Sequence, residues 1–360
     1  DEVAIDEAGN VLGRITGSSA GKTILLLTHL DTAPAGDSSQ WEREPFGGEL
    51  AGGYLHGLGA AGSKGAIAAQ LYAAAACKLA ELTRGNILVA GVVHSERAEC
   101  LGSQYLFDHT LAKRDLRPQL VVLGDPTGLD IFLGHRGRAE LEITTIGRTS
   151  HSSAPWLGLN AAYKMIPVLE GIEELGTALP SHPFLDKSTV AVTRLATHPR
   201  DFSVIPDRCI ARVDRRFLPS ESLDTITSQL QTILSRVAAK DEEFRGEVAI
   251  RMVEEQTYTG FTRNIPKVMA AWLTSERHPL VGQASVILAS MGELPSFDKW
   301  YFATEGSYVG GTLNLPTIGY SPGEERYSHT PYDRVKVDYL WKAALGTAVL
   351  ASSVCEEGYA

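Results

Sequence analysis

TILLLTHLDTAP, Thr23 to Pro34, opens with an unbroken apolar run and closes on polar and turn-forming residues. A run without alternation marks a strand buried on both faces, which is the habit of parallel sheets. Thr23 to Leu27 therefore reads as a strand, and Asn86 to Val93 and Leu120 to Leu123 repeat the pattern. Between the first two lies Gly65 to Leu82, Ala-rich and free of proline, a strong helix-forming sequence. Strand, crossover helix and strand in that order give an α/β domain with a mostly parallel, doubly wound sheet.

Working outward, the texture changes at Arg138. Alternating strands (Arg138 to Ile146, Ser188 to Ala196, Cys209 to Phe217, Glu247 to Val253) surround two amphipathic segments, Asn160 to Leu175 and Ser222 to Ala239. Strand, helix, strand, strand, helix, strand is the order of a split βαβ, ferredoxin-like α+β layer. Residues 138–255 are thus expected to form an inserted domain, with 1–137 and 256–360 making up the discontinuous α/β domain. The strand beginning at Arg138 is expected at a sheet edge. A Gly/Pro-rich loop runs from Gly319 to Pro331.

The 360 residues carry 33 basic and 43 acidic side chains, a net charge of −10, with 44% hydrophobic and 21% charged residues. That balance is globular, and with no cluster of cations it argues against nucleic acid as partner. No apolar run approaches the roughly 20 residues that span a bilayer, so no membrane is expected. Cys77, Cys100, Cys209 and Cys355 are scattered without C-x-x-C spacing, which suits free thiols in a reducing, cytoplasmic setting.

Ligands of open parallel sheets bind beyond the carboxyl ends of the strands, where polar residues follow each apolar run. The first strand ends in His29 and Asp31, the second in His94, Ser95 and Glu96, the third in Asp125, and the late loop holds His329. Two imidazoles and two carboxylates (His29, Glu96, Asp125, His329) form a possible metal-ligand set. Asp31 is placed to accept the other N–H of His29 and fix its tautomer.

Several long motifs stand in order: LLLTHLDTAP, W-x-x-x-P-F at Trp41 to Phe46, HGLGAAGSKG, LGDPTG, SHSSAPWLGLNAA, VIPDRCIARVDRR and GYSPGEERYSHTP. Together they resemble the zinc-dependent aminoacylase and carboxypeptidase family that includes acetylornithine deacetylase and succinyl-diaminopimelate desuccinylase. The GHRGR, TYTG and FDKW segments resemble its YgeY-like hydrolase branch. The resemblance implies a lid and dimerisation domain at 138–255, a homodimer, and a small amino-acid-derived substrate. It also implies His29 and Asp125 as ligands of one zinc, and Glu96 and His329 as ligands of a second. His151 matches the lid histidine that reaches the partner subunit's site, and Arg216 a lid arginine that holds the substrate carboxylate. Asn160 and Ser203 join Arg216 as substrate-binding candidates.

Against the family pattern G-R-G-x-x-D-x-K-G, this chain has GLGAAGSKG, so Gly62 stands where the metal-bridging aspartate is expected. The family's paired glutamates fall, read without gaps, on Ser95 at the general base and Glu96 at the ligand. A shifted alignment makes Glu96 the base and Arg97 the replaced ligand. The lid asparagine falls on Ser203, which weakens oxyanion stabilisation. Each metal then keeps two protein ligands where a catalytic zinc holds three.

Three functions remain. One is altered, metal-independent acyl-transfer, condensation or lyase-type chemistry on an N-acyl or amide substrate, with Glu96, His151, Ser95, His94 and Asp31 as the catalytic set and no cofactor. The second is a single-zinc deacylase or peptidase. The third is a non-catalytic binding homologue.

Overall fold

The computed structural model describes residues 2–19, 21–97, 99–200 and 202–354. In chain order its main elements are β1 (Glu2–Ile5), β2 (Val11–Ile15), β3 (Ile24–His29), α1 (Gly65–Leu79), β4 (Ile87–Val92), β5 (Leu120–Leu123) and β6 (Ile131–Phe132). Then come β7 (Gly137–Ile146), α2 (Ala161–Ala178), β8 (Thr189–His198), β9 (Arg208–Phe217), α3 (Leu223–Ala238) and β10 (Arg245–Ile250). The chain finishes with α4 (Pro279–Ser290), β11 (Phe297–Asp298), β12 (Thr317–Gly319) and α5 (Val337–Val354). Two compact units result: Asp1–His135 with Glu254–Ile265 and Trp272–Ala360, and Arg136–Val253 with Pro266–Ala271.

In the first unit the sheet runs β1-β2-β4-β3-β5-β12-β6-β11. Its centre, β4, β3, β5 and β12, is parallel, whereas β1 and β2 form an antiparallel margin. Every residue of β3 is buried, which is why its sequence shows no alternation. Leu25, Leu27, Leu88, Val121 and Leu123 sit in one apolar cluster beneath the strand ends. His29 pairs in register with Val92, and Leu27 with Leu123, so the carboxyl ends of β3, β4 and β5 lie side by side. That alignment brings three separate polar segments to one rim.

The second unit's sheet is antiparallel, in the order β8-β9-β7-β10, with α2 and α3 packed on one face. Ala139, Leu141 and Ile143 of β7 and Ala211 and Val213 of β9 point to those helices, and the residues between them, Glu140, Glu142 and Arg212, are charged. Asn160 and Ser222 cap the two helices through their side-chain oxygens, as these residue types do at helix starts.

Two expectations are corrected here. β7, the strand at Arg138, lies inside the sheet between β9 and β10, and the edges are β8 and β10. Alternation reports one polar face, which an interior antiparallel strand shows as readily as an edge strand. The unit also extends past residue 255, because Val268–Met269 returns to pair with Arg138 and Ala139 of β7.

Among the described residues no helix is long and apolar enough to cross a membrane. Cys77, Cys100 and Cys209 are buried free thiols, and Cys355 lies outside the described residues.

Candidate active site

At the tip of β3 the His29 ring is buried. Its Nδ1–H donates to the backbone carbonyl of Asp31 at 2.8 Å, and its Nε2 lies 3.9 Å from Asp125 Oδ1. Burial disfavours a charge on His29, but the Asp31 hydrogen bond and the charges of Asp125, Asp31 and Glu96 outweigh it and raise its pKa to about 9. Burial pushes the Asp125 carboxyl up to about 7, against the pull of His29.

The Asp31 carboxylate does more than expected. It lies 3.5 Å from His29 Nδ1 and accepts the backbone N–H groups of Ser95 at 3.1 Å and Glu96 at 3.0 Å. Burial opposes its charge, yet His29 and these two N–H donors hold it below the usual carboxylate range. Asp31 thus fixes the turn after β4. Glu96 Oε1 meets His329 Nε2 at 2.9 Å, and this hydrogen bond raises the imidazole's pKa.

His94 is not brought into this group. β4 ends at Val92, and His94 takes a left-handed conformation (φ 57°) with its ring 4.0 Å from Glu255. Glu99, Cys100 and His329 are left-handed as well. Non-glycine residues there are strained and persist only where the surroundings hold them, which is common at functional sites.

The loop before α1 is held by a residue that sequence reading missed. Asp333 accepts the N–H groups of Gly59 at 2.6 Å and Ala61 at 2.9 Å, and Ser63 Oγ donates to the His29 carbonyl at 2.5 Å. Gly62 is extended (φ −143°), and a Cβ there would meet Pro126 Cγ at 2.9 Å and Ser328 Oγ at 3.0 Å.

Glu305 was missed too. It is 1% exposed, and neither carboxylate oxygen makes a well-formed hydrogen bond. Burial raises its pKa despite the Ser103 and Ser95 hydroxyls and the charge of His29. Its turn is anchored from behind, because the buried His135 Nε2 accepts the Thr304 N–H at 3.0 Å. Trp300 of the FDKW segment donates Nε1–H to the Pro126 carbonyl at 2.8 Å, bracing the turn that carries Asp125. No strand end or periodicity marks Glu305. The acidic residue between Thr304 and Gly306, in a segment without a regular pattern, is the one hint.

The remaining candidates lie in the second unit. His151 is exposed, bonds Ser153 Oγ through Nδ1 at 2.7 Å and forms an isolated bridge with Val204, and Ser152 N–H donates to the Ser203 carbonyl at 3.0 Å. His151 and Ser203 therefore sit on adjoining segments. Asn160 Oδ1 accepts the Ala162 N–H as helix cap, and Arg216 Nε donates to Asp214 at 2.8 Å.

A two-metal centre, which this fold family implies, needs a bridging anion and about three protein donors per ion. Here the donors form two imidazole–carboxylate pairs, Gly62 offers no oxygen, and Pro126 and Ser328 close the space beside it. Asp31 and Asp125 both approach His29, but among the described residues no group of three or more His, Cys, Asp or Glu side chains is arranged to hold a metal ion. The donor set does not fit that centre.

Residues 133–242 match the family model of the M20 peptidase dimerisation domain. The YgeY protein of Escherichia coli K12 is 29% identical over 349 residues, 96% of this chain and 83% of that protein. Succinyl-diaminopimelate desuccinylase of Cereibacter sphaeroides is 30% identical over 247 residues, 66% of this chain and 64% of the enzyme. Among solved structures, aminopeptidase PepT of Bacillus cereus aligns with a TM-score of 0.74 at 17% identity, covering 99% of this chain and 89% of that one. The Bacillus subtilis YXEP protein, described as a dinuclear metal binding peptidase, aligns at 0.71 with 14% identity over 98% and 88%.

Proposed function

This chain belongs to the M20 aminoacylase and peptidase family, and on that premise we propose that its pocket acts on an N-acyl or amide derivative of a small amino acid without the family's two-zinc water. The carrying observation is Gly62, which offers no bridging oxygen and whose side-chain space is taken by Pro126 and Ser328. The loss of a carboxylate at Ser95 supports it, since a hydroxyl is far too weakly basic to take a proton from water at neutral pH.

In this reading Glu96, held against His329, is the acid/base that moves protons in the pocket. Asp31 keeps the Ser95–Glu96 turn in place, and Ser95 is a possible nucleophile. His29, cationic through Asp31, supplies a fixed positive charge for a developing oxyanion. His151 polarises the substrate carbonyl, supplied by the second unit of a partner chain in a homodimer. Arg216, Asn160 and Ser203 serve substrate binding, with Arg216 suited to a carboxylate fork. The strain kept at His329 favours a working site over an abandoned one.

A second reading, a single-zinc deacylase using His29, Glu96, Asp125 and His329, draws support from the similarity to succinyl-diaminopimelate desuccinylase. The test is turnover of a panel of N-acyl amino acids and dipeptides. Glu96→Gln and His151→Ala are each expected to lower kcat by about 10²- to 10⁴-fold, while chelators leave the rate unchanged. Inhibition by a chelator, reversed by zinc, would establish the single-zinc hydrolase. Unchanged rates in both variants would place the chemistry elsewhere.

A further inference from the structure

We propose that the open face of the second unit's sheet carries a binding site for a small dianion, centred on Arg194, Arg200 and Arg212. A cavity of about 240 Å³ opens there, with His198 also on its rim and Glu142 as its one acid. Ala196 and Ile210, register partners on neighbouring strands, line it with an apolar strip between the charged residues.

The charge pattern on this face singles the place out. Arg138 and Arg216 both donate to Asp214, at 2.9 and 2.8 Å, and Arg251 donates to Glu140 at 2.9 Å. Even Arg212 has a carboxylate, Glu142 at 3.2 Å. Arg194 and Arg200 have no ion pair among the described residues. In a chain of net charge −10, two uncompensated guanidiniums on one cavity are not a general surface property.

Backbone geometry concentrates the charge further. Register between β8 and β9 shifts at a bulge between Val192 and Arg194, so that Arg194 rather than Thr193 stands directly across from Arg212. Directly opposed like charges in a sheet sit about 5 Å apart at Cβ and destabilise it. Bulges commonly re-aim a side chain beside a binding site. An anion between the two guanidiniums reverses the sign of that interaction, and the planar fork of arginine suits a carboxylate or a phosphoryl group alike.

The test is calorimetric titration of the full chain with succinate and, separately, with inorganic phosphate. One saturable site per chain is expected, weakening as salt is added. Arg194→Ala and Arg200→Ala are each expected to weaken it about tenfold or more, as loss of a charge-assisted bond does. Glu142→Gln is expected to bind at least as tightly as the parent. Tighter succinate assigns a dicarboxylate, and tighter phosphate a phosphoryl group. Both arginines are exposed, so the variants should keep the parent's circular dichroism; Arg194→Gln and Arg200→Gln repeat the test if they do not. No saturable binding of either anion up to about 10 mM overturns the site. So does unchanged affinity in the variants, or a change in oligomeric mass with them, which would mean that a second copy covers the face.

Discussion

Gly62 is the residue on which the chemistry turns. Restoring the family's carboxylate by Gly62→Asp is not held back by the backbone, which is extended at φ −143°. The obstacle is the Pro126 ring at 2.9 Å from the new Cβ, which cannot swing away like a flexible side chain. The substitution is expected to cost about 1–3 kcal/mol of stability, read by chemical denaturation, and to add no tightly bound metal. A stable variant that takes up two metal ions would show that the pocket needs only the missing oxygen. In the second unit, burial opposes the charge of Asp214, yet hydrogen bonds from Arg138 and Arg216 hold its pKa below the ordinary 3.8. Its contribution is therefore present above 3.8 and lost as pH falls through the lowered value. Asp214→Asn is expected to lose about 1–3 kcal/mol at pH 7 and to flatten the acid limb of a stability–pH curve. A parallel, undiminished acid limb would remove Asp214 from that account.

At the scale of elements, apolar runs located the buried strands because a strand covered on both faces has no polar position to spare. β5 was legible to the residue, and β3 ran on to His29, two residues past its apolar run, because its ends are polar but still buried. The strand at Arg138 misled for the opposite reason. Its Arg138, Glu140 and Glu142 stand across from Arg216, Asp214 and Arg212 of β9, not at an open edge. Of the two edges, β8 is the one with large apolar side chains open to solvent, Val192 and Leu195 at 39% and 53% exposed. An open edge with apolar side chains invites pairing with another chain. The homodimer proposed above is expected to form through β8, so Leu195→Glu should halve the mass seen by light scattering without unfolding the chain. A variant that remains dimeric would move the interface to another element.

For the whole molecule, the second unit announced itself in the change of pattern at Arg138, and His29, Glu96 and Asp125 stand at the strand ends where the apolar runs stop. Glu305 and Asp333 could not be found in this way. Each reaches the site from an irregular segment, Glu305 fixed by His135 and Asp333 by its bonds to Gly59 and Ala61, and such placement is a tertiary fact that local patterns do not carry. Nor does the sequence pattern show that His94 takes a left-handed backbone with its ring 4.0 Å from Glu255. What the assembled rim lacks is a carboxylate at position 62, where the family pattern has the anion that holds two dications together. Elemental analysis of the protein, purified without added zinc and dialysed at neutral pH, measures this directly. Fewer than two transition-metal ions per chain are expected, with a value near zero for metal-independent chemistry. A stoichiometry near two would contradict the proposal.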